Sequence, residues 1–225
     1  NDWTDCHRPK AGEYDPLERL AKVRELFYPT TTSLGLRTIK LERQSDQAHQ
    51  EPSWAPYREN VRWVQGGVLF VGLNLPGSDN NFDGTQRGSG PSAEYLARLP
   101  VNRAWAAQAF EMARVQNLAG LMLVIQANPD IEGFSQGKGH EAYREFLTQL
   151  RDETLRLGKP VVLVHGDSHR QQINQPLKDA QGKKVSNFTR VETYGSPFMG
   201  WTKVTVDPQS KGVFSFEPRA YSPSR

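Results

Sequence analysis

The chain has 225 residues, of which 36% are hydrophobic and 24% charged, and its 28 Lys and Arg against 25 Asp and Glu leave a net charge of +3. That is enough apolar material for a packed core and excludes global disorder, and the length fits one domain with an elaborate loop system. The basic excess is spread along the chain, with Lys183-Lys184 the one doublet of note, so no clustered nucleic-acid patch is expected. No apolar run approaches the ~20 residues of a membrane span, and the lone Cys6 excludes an intrachain disulfide.

Taken in chain order, Asn1–Tyr14 is polar and aperiodic. Asp15-Pro16 then offers an N-cap and a first helical residue, and Leu17, Leu20, Ala21, Val23 and Phe27 predict a helix to about Tyr28, stopped by Pro29. Residues Gln44–Asn60 read as a long loop. Val68–Val71, after Gly66-Gly67, has the continuous apolar character of a strand buried on both faces, and it empties into Gly72-Leu73-Asn74 and a loop rich in Gly, Asn and Asp.

A second helix is expected after Pro100, with Trp105, Ala106, Ala109, Phe110 and Ala113 on one face. The strand Leu121–Ile125 ends in Gln126, Asn128 and Asp130. The helix His140–Leu157 follows, and the strand Pro160–His165 closes in Gly166-Asp167-Ser168-His169. Strands alternating with helices predict parallel crossover units and an α/β class. Phe188–Tyr194, Trp201–Val206 and Gly212–Phe216 then read as three short strands of an antiparallel extension.

In open α/β sheets ligands bind beyond the carboxyl ends of the strands. Three such ends carry polar side chains here: Gly72/Asn74, Gln126/Asn128/Asp130 and His165/Asp167/His169. The last is the most concentrated, and its Asp and His suit Mn, Fe or Zn. The bland alternative is that Asp167 and Ser168 cap a turn while His169 is exposed. Gly-Asp-Ser also resembles the nucleophile block of GDSL-type esterases. Against Ser168 as a nucleophile stand the absence of a later His other than the adjacent His169 and the polar, Pro- and Gly-containing segment where a helix should follow.

Four stretches carry a wider resemblance: Val161–His169 (VVLVHGDSH), Asn187–Gly195 (NFTRVETYG), Gly72–Asn81 (GLNLPGSDNN) and the opening Asn1–Arg8 (NDWTDCHR). The chain resembles, along nearly its whole length, a bacterial branch of the calcineurin-like metallophosphoesterases. The resemblance implies a single domain over residues 1–225, a sandwich of two β-sheets flanked by helices. It also implies a site with two divalent metal ions (Mn, Fe or Zn) that activate water against a phosphate-ester small molecule.

Residue by residue, it implies Asn1, Gln126, Asp167 and His169 as metal ligands, with Gln126 and Asp167 standing where the family has His. Asp2 would replace the catalytic His of the family's Asn-His motif, and His165 would act behind the ligands or face phosphate. Asn74 and Asn81 would face the substrate. The family's Asp-x-His and Gly-Asp motifs have no counterpart in this chain. The resemblance therefore implies an N-terminally incomplete domain, the missing strands lying upstream or bound in trans, and poor binding of two metals without them. It further implies an exported protein. Two classes of function stay open: a metal-dependent phosphoric ester hydrolase, and a non-catalytic binding module that keeps the same fold.

Overall fold

The apolar runs form the parallel centre of a seven-stranded mixed sheet, in a computed structural model that describes residues 3–86 and 88–221. The strands β1 (Glu42–Arg43), β2 (Val61–Gln65), β3 (Val68–Gly72), β4 (Gly120–Val124), β5 (Val161–His165), β6 (Gln172–Asn174) and β7 (Phe188–Glu192) lie in the order β1-β2-β3-β4-β5-β7-β6. β3, β4, β5 and β7 run parallel, and β1, β2 and β6 are antiparallel to their neighbours at the two edges. β2 and β3 form a hairpin, with Gln65 paired to Val68 across Gly66-Gly67. Both glycines have positive φ (58° and 74°), the conformation a tight two-residue hairpin requires.

The helices follow from local chemistry. α1 (Pro16–Phe27) starts where expected, with the Asp15 carboxylate accepting the Glu18 N–H at 2.8 Å. α2 (Gly77–Asn80) is a single turn, described below. α3 (Ala93–Val115) begins well before the expected start after Pro100, because the Ser92 hydroxyl caps it by accepting the Tyr95 N–H. Pro100 sits inside this helix. Its missing N–H would have bonded the carbonyl of Leu96, and both residues lie on the exposed face, where water can replace the bond. A short α4 (Ile131–Ser135) precedes α5 (Glu141–Leu157), which ends on Gly158 at φ 65°.

α3 and α5 cover one face of the sheet. Trp105, Phe110, Phe146, Leu147 and Leu150 pack there on Leu69, Leu121, Leu123, Val161 and Leu163. The other face, with Met122, Val162 and Val191, is covered by a two-stranded sheet, β8 (Gly200–Val206) and β9 (Phe214–Ala220), through Val204, Phe214 and Phe216. Gly120 allows that packing, since a Cβ there would lie 2.8 Å from the Phe214 ring. One expectation needs correction. The first of the three C-terminal strands does not join the antiparallel extension but enters the main sheet parallel to β5, so that only β8 and β9 form the separate hairpin. The alternation of Phe188, Arg190 and Glu192 is the reason: with every one of them buried, this strand needs cover on that face.

Candidate functional site

The carboxyl end of β5 turns sharply. The Ser168 N–H donates to the Gly166 carbonyl at 3.0 Å, closing a three-residue turn around Asp167, which has φ 74°. His169 follows at φ 61°. Left-handed backbone at non-glycine residues costs about 1–3 kcal/mol each and persists where the surroundings over-determine it. Here the Gly166 N–H is held by the Gln126 carbonyl at 3.1 Å, which ties the turn to the end of β4. The Asp167 carboxylate accepts from the Gln126 side-chain amide at 3.3 Å and from the Asn128 backbone N–H at 3.4 Å. Asn128 also donates its side-chain amide to the Ser168 hydroxyl at 2.5 Å.

Two glycines make room for the acid and the imidazole. A Cβ on Gly77 would stand 2.7 Å from an Asp167 oxygen, and a Cβ on Gly195 would stand 2.5 Å from the His169 ring. Neither glycine has positive φ, so the space, and not the backbone conformation, calls for glycine. The His169 Nδ1 lies 2.5 Å from the Ser196 carbonyl. A carbonyl can only accept, so Nδ1 carries a proton, and in the neutral form of this exposed ring the lone pair falls on Nε2.

Gly77 belongs to α2, whose handedness is inverted. Ser78, Asp79, Asn80 and Asn81 have φ between 52° and 56°. Such a run is disfavoured by about 1–2 kcal/mol per residue, and a dense polar network holds it in place. The buried Arg98 guanidinium donates to the Asn74 carbonyl at 2.9 Å, to the Asn80 side chain at 2.6 Å and to the Asn80 carbonyl at 2.8 Å, and pairs with Glu94 at 2.6 Å. Tyr143 accepts the Asn80 N–H at 2.9 Å and donates to the Pro76 carbonyl at 2.7 Å. Burial pushes its phenol well above the usual range, so it stays a donor.

The residues singled out from sequence are placed as follows. Gln126 and Asp167 meet. The Gln126 amide oxygen is taken by the Gly77 N–H while its nitrogen faces Asp167, so in this arrangement it orients the carboxylate. His169 lies in the same turn. His165 is 1% exposed, on the helix-covered side of the sheet, with Nδ1 3.1 Å from the Gly166 carbonyl; burial pushes its imidazole below the ordinary range.

Asn74 is consumed internally. It accepts the Trp3 indole N–H at 3.3 Å and donates to Glu59 at 2.8 Å, while Arg24 clamps Glu59 from α1. Asn81 is buried and donates to Glu94 at 2.8 Å. These contacts give both asparagines a role in holding the loop. Asn1 and Asp2 lie outside the described residues, but Trp3 rests on Asn74, and Asp5 on Ser78, so the opening segment reaches the same end of the sheet. Ser168 is exposed beside Asn128.

Sequence reasoning missed Arg98, Tyr143, Arg190 and Glu192. Arg98 falls on the stripe Tyr95, Asn102, Trp105, Ala109, where a charge stands out against the apolar period. Arg190 and Glu192 alternate with Phe188 and share its buried face. Arg190 donates to Asn174 at 2.8 Å and to Glu132 of α4, and stands 3.7 Å from Glu192. A larger surface hollow, ≈ 770 Å³, lies elsewhere, between Glu42 and Arg62 and the far end of α3. Among the described residues no three His, Cys, Asp or Glu side chains converge on one metal position, and no helix is long and apolar enough to cross a membrane. Compared with known proteins, the chain matches no family model and no curated relative.

Proposed function

We propose that the chain is a metal-dependent phosphoric ester hydrolase of the calcineurin-like sandwich type, working at the Gly166–His169 turn. One observation carries this reading above the others: the His169 Nδ1–H is anchored on a backbone carbonyl, leaving Nε2 free at the surface, two residues from a carboxylate. Metal-binding histidines are oriented by such an anchor on the opposite nitrogen. The glycine cradles at Gly77 and Gly195 support it, because each would be filled by the smallest added side chain. The mixed sheet backed by helices on one side and a small sheet on the other is compatible with the sandwich.

In this reading Asp167 and His169 are two ligands of a divalent ion, and their oxygen and nitrogen donors suit Mn, Fe or Zn. Bound there, the ion would lower the pKa of a water and neutralise phosphate oxygens. The chain's own residues do the rest. Gln126 and the Asn128 N–H hold the Asp167 carboxylate in one orientation, and Ser196 holds the His169 ring. The resemblance would add Asn1 as a further ligand and put Asp2 in the role of the family's catalytic His. His165, buried behind the turn, would act by supporting it.

The test is Mn-dependent hydrolysis of p-nitrophenyl phosphate and bis-p-nitrophenyl phosphate by the full-length protein. Turnover is expected in the wild type, reduced about 10- to 100-fold in Gly195→Ala by displacement of the His169 ring, and abolished in His169→Ala. Unchanged activity in His169→Ala would refute the assignment. A second reading, a non-catalytic binding module of the same fold, is favoured by the engagement of the Gln126 oxygen with Gly77. It predicts sub-stoichiometric metal by elemental analysis together with no turnover.

A further inference from the structure

Beside the Gly166–His169 turn lies a pocket of ≈ 380 Å³, within the ~300–1,000 Å³ range of small-ligand sites. Asn128 and Asp130 from the end of β4 and Ser168 and Arg170 from the turn form its walls, and Arg190 and Glu192 lie at its floor. It adjoins the proposed metal ligand directly, because Asn128 both lines the pocket and holds Asp167 through its backbone N–H.

One acceptor on the floor lacks a donor. Glu192 is 0% exposed. One of its oxygens accepts from Gln172 at 2.6 Å, and the other, Oε1, has no partner among the described residues. Its register neighbour on β5 is His165, which is turned to the same face of the sheet. The His165 Nε2 is buried too and likewise has no partner among the described residues. Buried polar groups are nearly always satisfied, so the unpartnered Glu192 oxygen on the pocket floor describes the ligand that fits it: a hydrogen-bond donor.

Charge narrows the class further. Asp130, Glu132 and Glu192 face two cations, Arg170 and Arg190, and Arg190 is shared between Glu132 and the Glu192 oxygen that also meets Gln172, 3.7 Å away. The lining groups together leave a surplus of one negative charge. An anion would meet Glu192 unfavourably. A compact cation carrying several N–H donors would not.

We propose that this pocket holds a primary ammonium group against Glu192, so that the substrates of the adjacent Asp167–His169 site are phosphate esters of short amino alcohols. The substrate assignment rests on the hydrolase reading; ammonium binding does not. The phosphate would lie over Asp167 and His169, and the alcohol would reach across Ser168 and Asn128 into the pocket. Hydrolysis breaks the phosphorus–oxygen bond, adds water across it and releases the free amino alcohol and phosphate.

Two comparisons with the Mn-loaded full-length protein test this. Calorimetric titration with 2-aminoethylphosphonate and with ethylphosphonate measures binding, and O-phosphoethanolamine against ethyl phosphate measures kcat/KM. The amine-bearing compound is expected to be favoured about 10- to 100-fold in each, the range for a buried charge-assisted hydrogen bond. The ratio should fall to about one in Glu192→Gln. Equal behaviour of each pair in the wild type, which requires no variant to fold, overturns the inference, as does an unchanged ratio in Glu192→Gln. Ethyl phosphate turnover without amine preference would leave the hydrolase reading standing and remove the pocket's role. Amine-selective binding without turnover of either ester would do the reverse: the ammonium site stands and the substrate assignment falls with the hydrolase reading.

Discussion

Truncating Arg98 to alanine is expected to destabilise the protein by about 3–5 kcal/mol, the usual loss when one member of a buried, hydrogen-bonded charge pair is removed. Arg98 is 1% exposed, and its guanidinium is the shared donor for the Asn74 carbonyl, the Asn80 carbonyl and the Asn80 side chain. Without it those acceptors and the Glu94 carboxylate lose their partner, in a region where water enters poorly. The same contacts hold the left-handed run Ser78–Asn81, so its backbone should relax when they go. Urea unfolding should therefore show a lower midpoint, and hydrogen exchange should show lost protection at the Asn80 amide. A loss below about 1 kcal/mol, the level of an exposed ion pair, would mean that Arg98 does not hold this turn.

Replacing Asp167 with asparagine should separate chemistry from structure. Asparagine has the same shape, tolerates the left-handed backbone at this position, and can still accept the Asn128 N–H through its oxygen. Its stability should remain within about 0.5–1 kcal/mol of the wild type, the value of a hydrogen bond altered but not lost. The carboxylate charge is gone, however. A Lewis-acid metal contributes several kcal/mol of transition-state stabilisation, and each 1.36 kcal/mol is tenfold in rate, so kcat should fall by about 10²–10³-fold. Steady-state hydrolysis of bis-p-nitrophenyl phosphate with and without Mn measures it. A variant that unfolds would show Asp167 to be a structural cap, and one that retains full activity would show that it holds no metal.

Much of the framework was legible because local signals and tertiary packing agree. Asp15-Pro16 caps α1 as its chemistry predicts, and the apolar runs at Val68, Leu121 and Val161 became the parallel centre of the sheet. Pro100 misled, since a proline reads as a helix boundary, whereas a solvent-facing carbonyl at Leu96 tolerates the lost bond. The C-terminal strands also misled. Short strands without helices between them suggest a meander, but β7 inserts between β5 and β6 and pairs with β5 in parallel because Phe188, Arg190 and Glu192 all need burial.

The site was legible as a place more than as a set of roles. The polar residues after each strand mark the edge at which Gln126 and Asp167 meet. Their roles depend on partners far away in sequence, which no local pattern announces. Asn74 and Asn81 look like groups offered to a ligand, yet Glu59, Glu94 and Trp3 occupy them. Gly77 and Gly195 look like ordinary loop glycines, and only the approach of Asp167 and His169 gives them a reason.

The position of a bound metal tests the central claim most directly. Crystals of the full-length protein soaked in manganese, with diffraction recorded at the manganese absorption edge, locate the ion without reference to activity. An anomalous peak is expected within coordination distance, about 2.0–2.6 Å, of both an Asp167 oxygen and the His169 Nε2, and it should vanish in Asp167→Asn. A manganese peak elsewhere with none at this turn, or one that persists in Asp167→Asn, would contradict the account.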